Sequence, residues 1–251
     1  MSRKSRVLLL GALVSFAGYF ALAVLATQQH FFAIDLGTRW WIKLLRYEAL
    51  DLPFALVTEL GDRAGLIPLL LITIALLWRF NRVWAIALPV LMVGAWALQM
   101  VTKWWAGRPR PNDDPWGFPS GHVLSLVVFF GLMIWLIATA STRRRRWRVL
   151  ACAACVGTVV VVAFSRLYLD KHWLSDVAGG LAVGLAYLLF AIWLVEVAWT
   201  ARPWWARYSA AREGPPHADD RPTAVPDRDG VGARDERPAR NRESADEAQA
   251  R

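Results

Sequence analysis

An all-α fold, a polytopic membrane helical bundle of six transmembrane helices, is the class this chain predicts, and three observations carry it. Apolar residues make up 56% of the 251, with 15 Trp among them. They are gathered into long runs as far as Trp199, where a soluble domain would interleave them with polar residues. Counting six crossings also places the Lys and Arg of the short loops on one side, as retention of cations in the cytoplasm requires.

A crossing needs about 20 predominantly apolar residues, with a range of about 17 to 25. Six segments qualify: 7–26, 64–78, 83–101, 123–140, 149–164 and 177–199, the second and fifth being short. The basic start of the chain and the small-residue site Ala21-Leu22-Ala23 resemble a cleaved signal peptide. The apolar stretch exceeds the about 7 to 15 residues of a signal core, so it is read as a retained span. Pro68 is tolerated in a first helical turn, which starts the second span near Gly65 and leaves residues 52–60 as a separate helix at the interface.

Orientation follows from the loops. Arg3, Lys4 and Arg6 precede the first span, Arg79 and Arg82 separate the second and third, Arg143 to Arg146 with Arg148 separate the fourth and fifth, and Arg202 and Arg207 follow the sixth. All four groups are expected in the cytoplasm, with both termini. Arg39, Lys43, Arg46 and Arg63 oppose the rule, but they lie in the longest connection, where it is weaker. The expected location is a bacterial inner membrane, crossed several times, with the loops after the third and fifth spans outside.

The domain division expected is 1–199 for the membrane unit and 200–251 for an interfacial segment with a disordered cytoplasmic tail. Trp199, Trp204, Trp205 and Tyr208 suit a membrane-surface belt, and beyond residue 213 no aromatic residue remains to repay ordering. The tail has ten Arg against ten acidic residues, so the net charge of +9 resides in the spans and their loops. Anionic lipid headgroups account for those cations, and nucleic acid is not an expected partner. Cys152 and Cys155 lie inside the fifth span and are read as packing residues without redox context.

Three polar clusters interrupt the apolar sequence: KWWAGRPRP (103–111), PSGH (119–122) and SRLYLDKHWLSD (165–176). Each lies at the end of a span, and all three emerge on the extracytoplasmic face. His172 and Asp176 are four apart, so a helix starting near Lys171 puts them on one face, where the carboxylate fixes the tautomer and the other imidazole nitrogen becomes a nucleophile. His122 opens the fourth span behind Ser120 and Gly121, where free backbone N–H groups favour an anion. It is placed to protonate a leaving oxygen as general acid. Ser120 suits a helix cap and a phosphate donor alike. Lys103, Arg166 and one of Arg108 or Arg110 can neutralise the equatorial oxygens of a phosphoryl group; periodicity does not choose between the two arginines. Snorkelling to headgroups is the ordinary fate of such cations. Asp113 and Asp114 are adjacent in a proline-bounded loop and lack metal-ligand spacing, so neither a metal nor any other cofactor is expected.

These clusters resemble the tripartite signature of the type 2 phosphatidic acid phosphatase (PAP2) superfamily, K-x6-R-P, P-S-G-H and S-R-x5-H-x3-D, at every specified position and in order. The resemblance implies a metal-independent membrane phosphatase in which His172 is the nucleophile, His122 the general acid and Asp176 the orienting carboxylate. It implies phosphate binding by Lys103, Arg110, Ser120, Gly121 and Arg166, and so selects Arg110 over Arg108. The expected substrate is a lipid phosphate or diphosphate cleaved through a phosphohistidine. Only seven residues separate Pro111 from Pro119, too few for a lid that selects a headgroup. Undecaprenyl diphosphate therefore ranks first, ahead of phosphatidylglycerophosphate and phosphatidic acid. Transport is disfavoured because nearly all ionisable residues sit at span ends. A noncatalytic lipid-binding relative would be expected to lack one of the two histidines or the carboxylate.

Overall fold

Lipid offers no hydrogen bonds to a backbone, so a chain with runs this apolar is confined to helices that satisfy their own amides. A computed structural model describes residues 2–140 and 145–200, with side chains through Val197. The elements are α1 (Arg3–Thr27), α2 (Ala33–Leu44), α3 (Asp51–Thr58), α4 (Arg63–Phe80), α5 (Arg82–Ala106), α6 (Gly121–Thr139), α7 (Arg145–Tyr168) and α8 (Leu174–Thr200). No strand occurs among the described residues. Six of the helices, α1 and α4 to α8, are long and apolar enough to cross a membrane. The described residues belong to one unit, Met1–Arg202. The tail and Trp204, Trp205 and Tyr208 lie outside the described residues.

Capping sets several of the boundaries. Ser2 accepts from Ser5 N at 3.1 Å to open α1, and the Asn81 side chain accepts from Trp84 N at 3.4 Å to open α5. The second span begins at Arg63, two residues before the expected Gly65, because Leu66 N already bonds to Asp62 O at 2.9 Å. Pro68 is therefore the sixth residue of α4 and lies beyond the first turn. Gly65 serves the approach instead: a Cβ there would lie 2.3 Å from Glu59 O. The expected interfacial helix is the shorter α3, followed by a 3-10 turn at Glu59–Gly61. α7 extends well past residues 149–164, since the polar flanks at Arg145 and at Ser165-Arg166 continue the helix.

The helix α2 lies within a connection that carried no apolar run. It packs on α7 and α8 and buries Asp35 while exposing Leu36, Trp40, Trp41 and Leu44. At the centre, α8 packs along α1 and α6, and α6 also touches α5 and α7. In lipid this packing rests on close contact between helices. Gly180 and Gly184 bring α8 against α6: Cβ atoms there would stand 2.5 Å from Ser120 O and 3.1 Å from Leu124 O. Any larger residue at position 180 would push the start of α6 away from the start of α8, and those two starts carry PSGH and the His172-Asp176 pair.

Candidate active site at one end of the bundle

Lys103 projects from the last turn of α5, buried at 6% exposure, and donates from Nζ to Trp116 O at 2.6 Å. Gly107 ends that helix with φ of 57° in the left-handed region, its N–H bonded to Lys103 O at 3.0 Å. Glycine pays least for that conformation. The loop that follows folds back on itself: Gly117 N reaches Arg108 O at 2.6 Å, and Arg110 N reaches Asp114 O at 2.8 Å. Ser120 N then donates to Asp176 O at 2.9 Å, which joins the second cluster to the third. From α7, Arg166 directs Nη1 to Thr58 Oγ1 at 2.9 Å, and Arg166 O accepts from Lys171 N and His172 N at 3.0 and 3.2 Å. That reverse turn places His172 between the end of α7 and the start of α8.

The helix expected to start near Lys171 begins at Leu174, so His172 stands in the turn before it, with Nδ1 still 3.4 Å from Asp176 Oδ2. The same oxygen accepts from Trp173 N at 3.0 Å. A carboxylate on the third residue of α8 thus caps the helix and faces the imidazole, leaving Nε2 directed elsewhere. Asp176 is fully buried and His172 nearly so. Burial first, then the charges of Lys103, Arg166 and Arg110, push the His172 imidazole well below its ordinary value. It is neutral, with a lone pair available, at neutral pH. His122 is within electrostatic reach of Arg166, His172 and Lys103, so both imidazoles share one cationic neighbourhood. Its ring packs on Gly61, where a Cβ would fall 2.9 Å from Cδ2.

Buried polar atoms without partners point to what this neighbourhood is for. Six are found among the described residues, and three of them are Ser120 Oγ, Arg110 Nε and Arg166 Nε. A buried donor left unpaired costs about 1 to 3 kcal/mol. These three lie on residues of the three polar clusters, and a fourth, Arg108 Nε, belongs to the first cluster as well. Arg110 is otherwise held only loosely, by Asp114 at 3.8 Å. Gly121 is the first residue of α6, beside these donors.

All eight residues singled out in the sequence therefore lie where the ends of α5 and α7 meet the starts of α6 and α8. Arg108 takes a different part from the phosphate contact left open for it. It is 1% exposed and donates from Nη1 to Asp176 Oδ1 at 2.9 Å and to Ser175 Oγ at 2.7 Å, and from Nη2 to Asp35 Oδ2 at 3.1 Å. Asp35, Ser175 and Thr58 were not anticipated. Asp35 and Thr58 stand in the long connection before the second span, and nothing in its residue pattern ties them to positions more than a hundred residues away. Among the described residues no group of three or more His, Cys, Asp or Glu could hold a metal ion.

Six helices long enough to cross a membrane, and a group of buried cations with two histidines at one end of them, suit an integral membrane phosphatase, the class that the comparisons support. Residues 80–200 match the PAP2 superfamily, and the chain belongs to that superfamily. It is 29% identical over 141 residues to phosphatidylglycerophosphatase B of Bacillus subtilis (strain 168), covering 53% of this chain and 68% of that one. Its fold is similar to the crystal structure of a transmembrane PAP2-type phosphatidylglycerolphosphate phosphatase from Bacillus subtilis, with a TM-score of 0.66 and 22% identity over 74% of this chain and 96% of the other.

Proposed function

We propose that the chain removes the terminal phosphate of a glycerophospholipid phosphate, with phosphatidylglycerophosphate as the leading substrate. The observation that carries this is the similarity to a phosphatidylglycerophosphatase, joined to a buried cradle of unpaired donors. Undecaprenyl diphosphate, ranked first from the short loop, moves to second place. The loop argument limits headgroup selection without favouring a polyprenyl tail.

Catalysis proceeds by two displacements. His172 Nε2 attacks phosphorus while Asp176 holds Nδ1–H, and His122 gives a proton to the departing lipid oxygen. Water then attacks the phosphohistidine, with His122 taking back a proton, and inorganic phosphate leaves. Lys103, Arg110 and Arg166 offset the charge on the equatorial oxygens, with Ser120 Oγ and the amides at the start of α6 as further donors. With charge supplied by side chains, the reaction runs without a metal ion. The clusters lie on the extracytoplasmic side and both termini in the cytoplasm, on the distribution of loop cations.

The test is phosphate release by purified protein in detergent with EDTA present, across phosphatidylglycerophosphate, phosphatidic acid, undecaprenyl diphosphate and a soluble phosphomonoester. The expected result is the highest kcat/KM for phosphatidylglycerophosphate, unchanged by EDTA. A preference for undecaprenyl diphosphate would reverse the ranking, and loss of activity in EDTA would remove the metal-free mechanism.

A further inference from the structure

Asp176 has one oxygen for His172 and Trp173 N and one for Arg108, so the orientation of the carboxylate is set by a guanidinium that never faces the cradle through a free fork. That guanidinium is itself held. Arg108 lies over the Phe31 ring at 4.8 Å and bonds to Asp35, while Ser175 Oγ donates to Asp35 Oδ2 at 2.7 Å and accepts from Arg108. Asp35 also accepts from Ser175 N at 2.8 Å and from Phe32 N at 3.3 Å. The bonds of this buried carboxylate run to Arg108, to the start of α8 and to the start of its own helix.

Charge explains why a second carboxylate belongs there. Arg108 alone would neutralise Asp176 and weaken its hold on an imidazole that becomes cationic as it bonds to phosphorus. Asp35 cancels Arg108, and the alternation Asp35, Arg108, Asp176, His172 leaves one net negative charge facing the ring. Removal of one partner from such a buried group exposes the others to an uncompensated charge. Anchoring of α2 does not need Asp35. Arg39 already grips Asp170 through Nε and Nη2 at 2.7 and 2.8 Å and donates to Pro111 O at 2.7 Å, and Lys43 lies 3.3 Å from Asp170.

We propose that Asp35, acting through Arg108, is a positioning residue for the His172-Asp176 pair. This rests on the reading of His172 as nucleophile. The experiment is a double-mutant cycle in detergent with phosphatidylglycerophosphate, each variant first checked for its thermal unfolding midpoint. Asp35→Asn is expected to lower kcat by about 10- to 100-fold, as loss of outer partners of an oriented ligand does, with KM within about threefold. In an Asp176→Asn background the same change should have no further effect, because the residue acts only through that carboxylate. Ser175→Ala, which removes a bridging hydroxyl without removing charge, should lower kcat less and show the same dependence on background. Asp170→Asn, which releases the other tether of α2, should leave kcat within about twofold, since its bonds run to Arg39 and Lys43 and not to Arg108 or Asp176. Normal kcat in both Asp35→Asn and Ser175→Ala beside a crippled Asp176→Asn overturns the proposal alone, as do equal losses in both backgrounds. A normal rate in Asp176→Asn overturns the nucleophile reading and this proposal together.

Discussion

Cations border both ends of this bundle, and their surroundings differ. At the end formed by the start of α1, the loop between α4 and α5 and the end of α8, Lys4, Arg79 and Arg82 are exposed, and Lys4 pairs with Glu196 at 2.8 Å across a half-open surface. At the other end Lys103, Arg108 and Arg166 are all buried to 7% exposure or less. A cation on a flexible stem reaches water whenever its neighbours let it. Those at the second end are kept out of water by the turn of Gly107, the close approach at Gly180 and the folded loop of residues 108–119. Burial raises the cost of each charge and also its effect on a bound anion, because little solvent screens it. The first group suits placement in the membrane, and on the proposed reading Lys103 and Arg166 of the second meet the phosphate while Arg108 holds Asp176.

Substitutions that remove the reacting groups at the buried end should have the largest effect. His172→Ala is expected to lower kcat by about 10³-fold or more, measured as phosphate release, because the covalent route is lost. His122→Ala should follow with a loss of about 10²- to 10⁴-fold, the range for a general acid. A substrate with a better leaving group than a lipid alkoxide should recover part of that loss, whereas it should not rescue His172→Ala. Arg166→Lys keeps the charge but removes the fork and the unpaired Nε, and should cost about 10-fold or more in kcat/KM, the worth of one charged hydrogen bond. At the exposed end, Arg79→Gln or Arg82→Gln should leave kcat/KM within about twofold, as expected for solvated charges. A tenfold loss there would erase the contrast between the two ends.

The smallest effect concerns Asp170, which ties α7 to α2. Burial pushes its carboxyl up, but the hydrogen bond and charge of Arg39, with Lys43, overcome this and hold it below the usual range. A group lowered on folding adds stability above its unfolded value, and that contribution disappears as pH falls through the folded one. Wild type should therefore unfold at a slightly higher temperature than Asp170→Asn at pH 7, and the gap should close below about pH 4.

The spans were legible because lipid imposes a length and a composition that local sequence records directly. Lys103, Arg110, His122, His172 and Asp176 were legible as residue types suited to phosphate, gathered at the ends of spans that alternate in direction. Asp35 was not, because its partners Arg108 and Ser175 lie 73 and 140 residues away and Ala33–Leu44 mixes Gly37, Thr38 and Arg39 into its apolar positions. The role of Arg108 was hidden for a related reason. Two arginines separated by one proline look alike in sequence, and only the fold shows that both Nη atoms of Arg108 are bonded to Asp176, Ser175 and Asp35 while Arg110 lies 3.8 Å from Asp114.

The two-displacement route through His172 is tested most directly by the stereochemical course at phosphorus, using a lipid phosphate made chiral with oxygen isotopes and sulfur and turned over by the wild-type protein. Two successive in-line displacements predict retention of configuration in the released thiophosphate. Inversion would mean that water attacks the lipid phosphate in a single step, and His172 would then have to act as something other than the nucleophile.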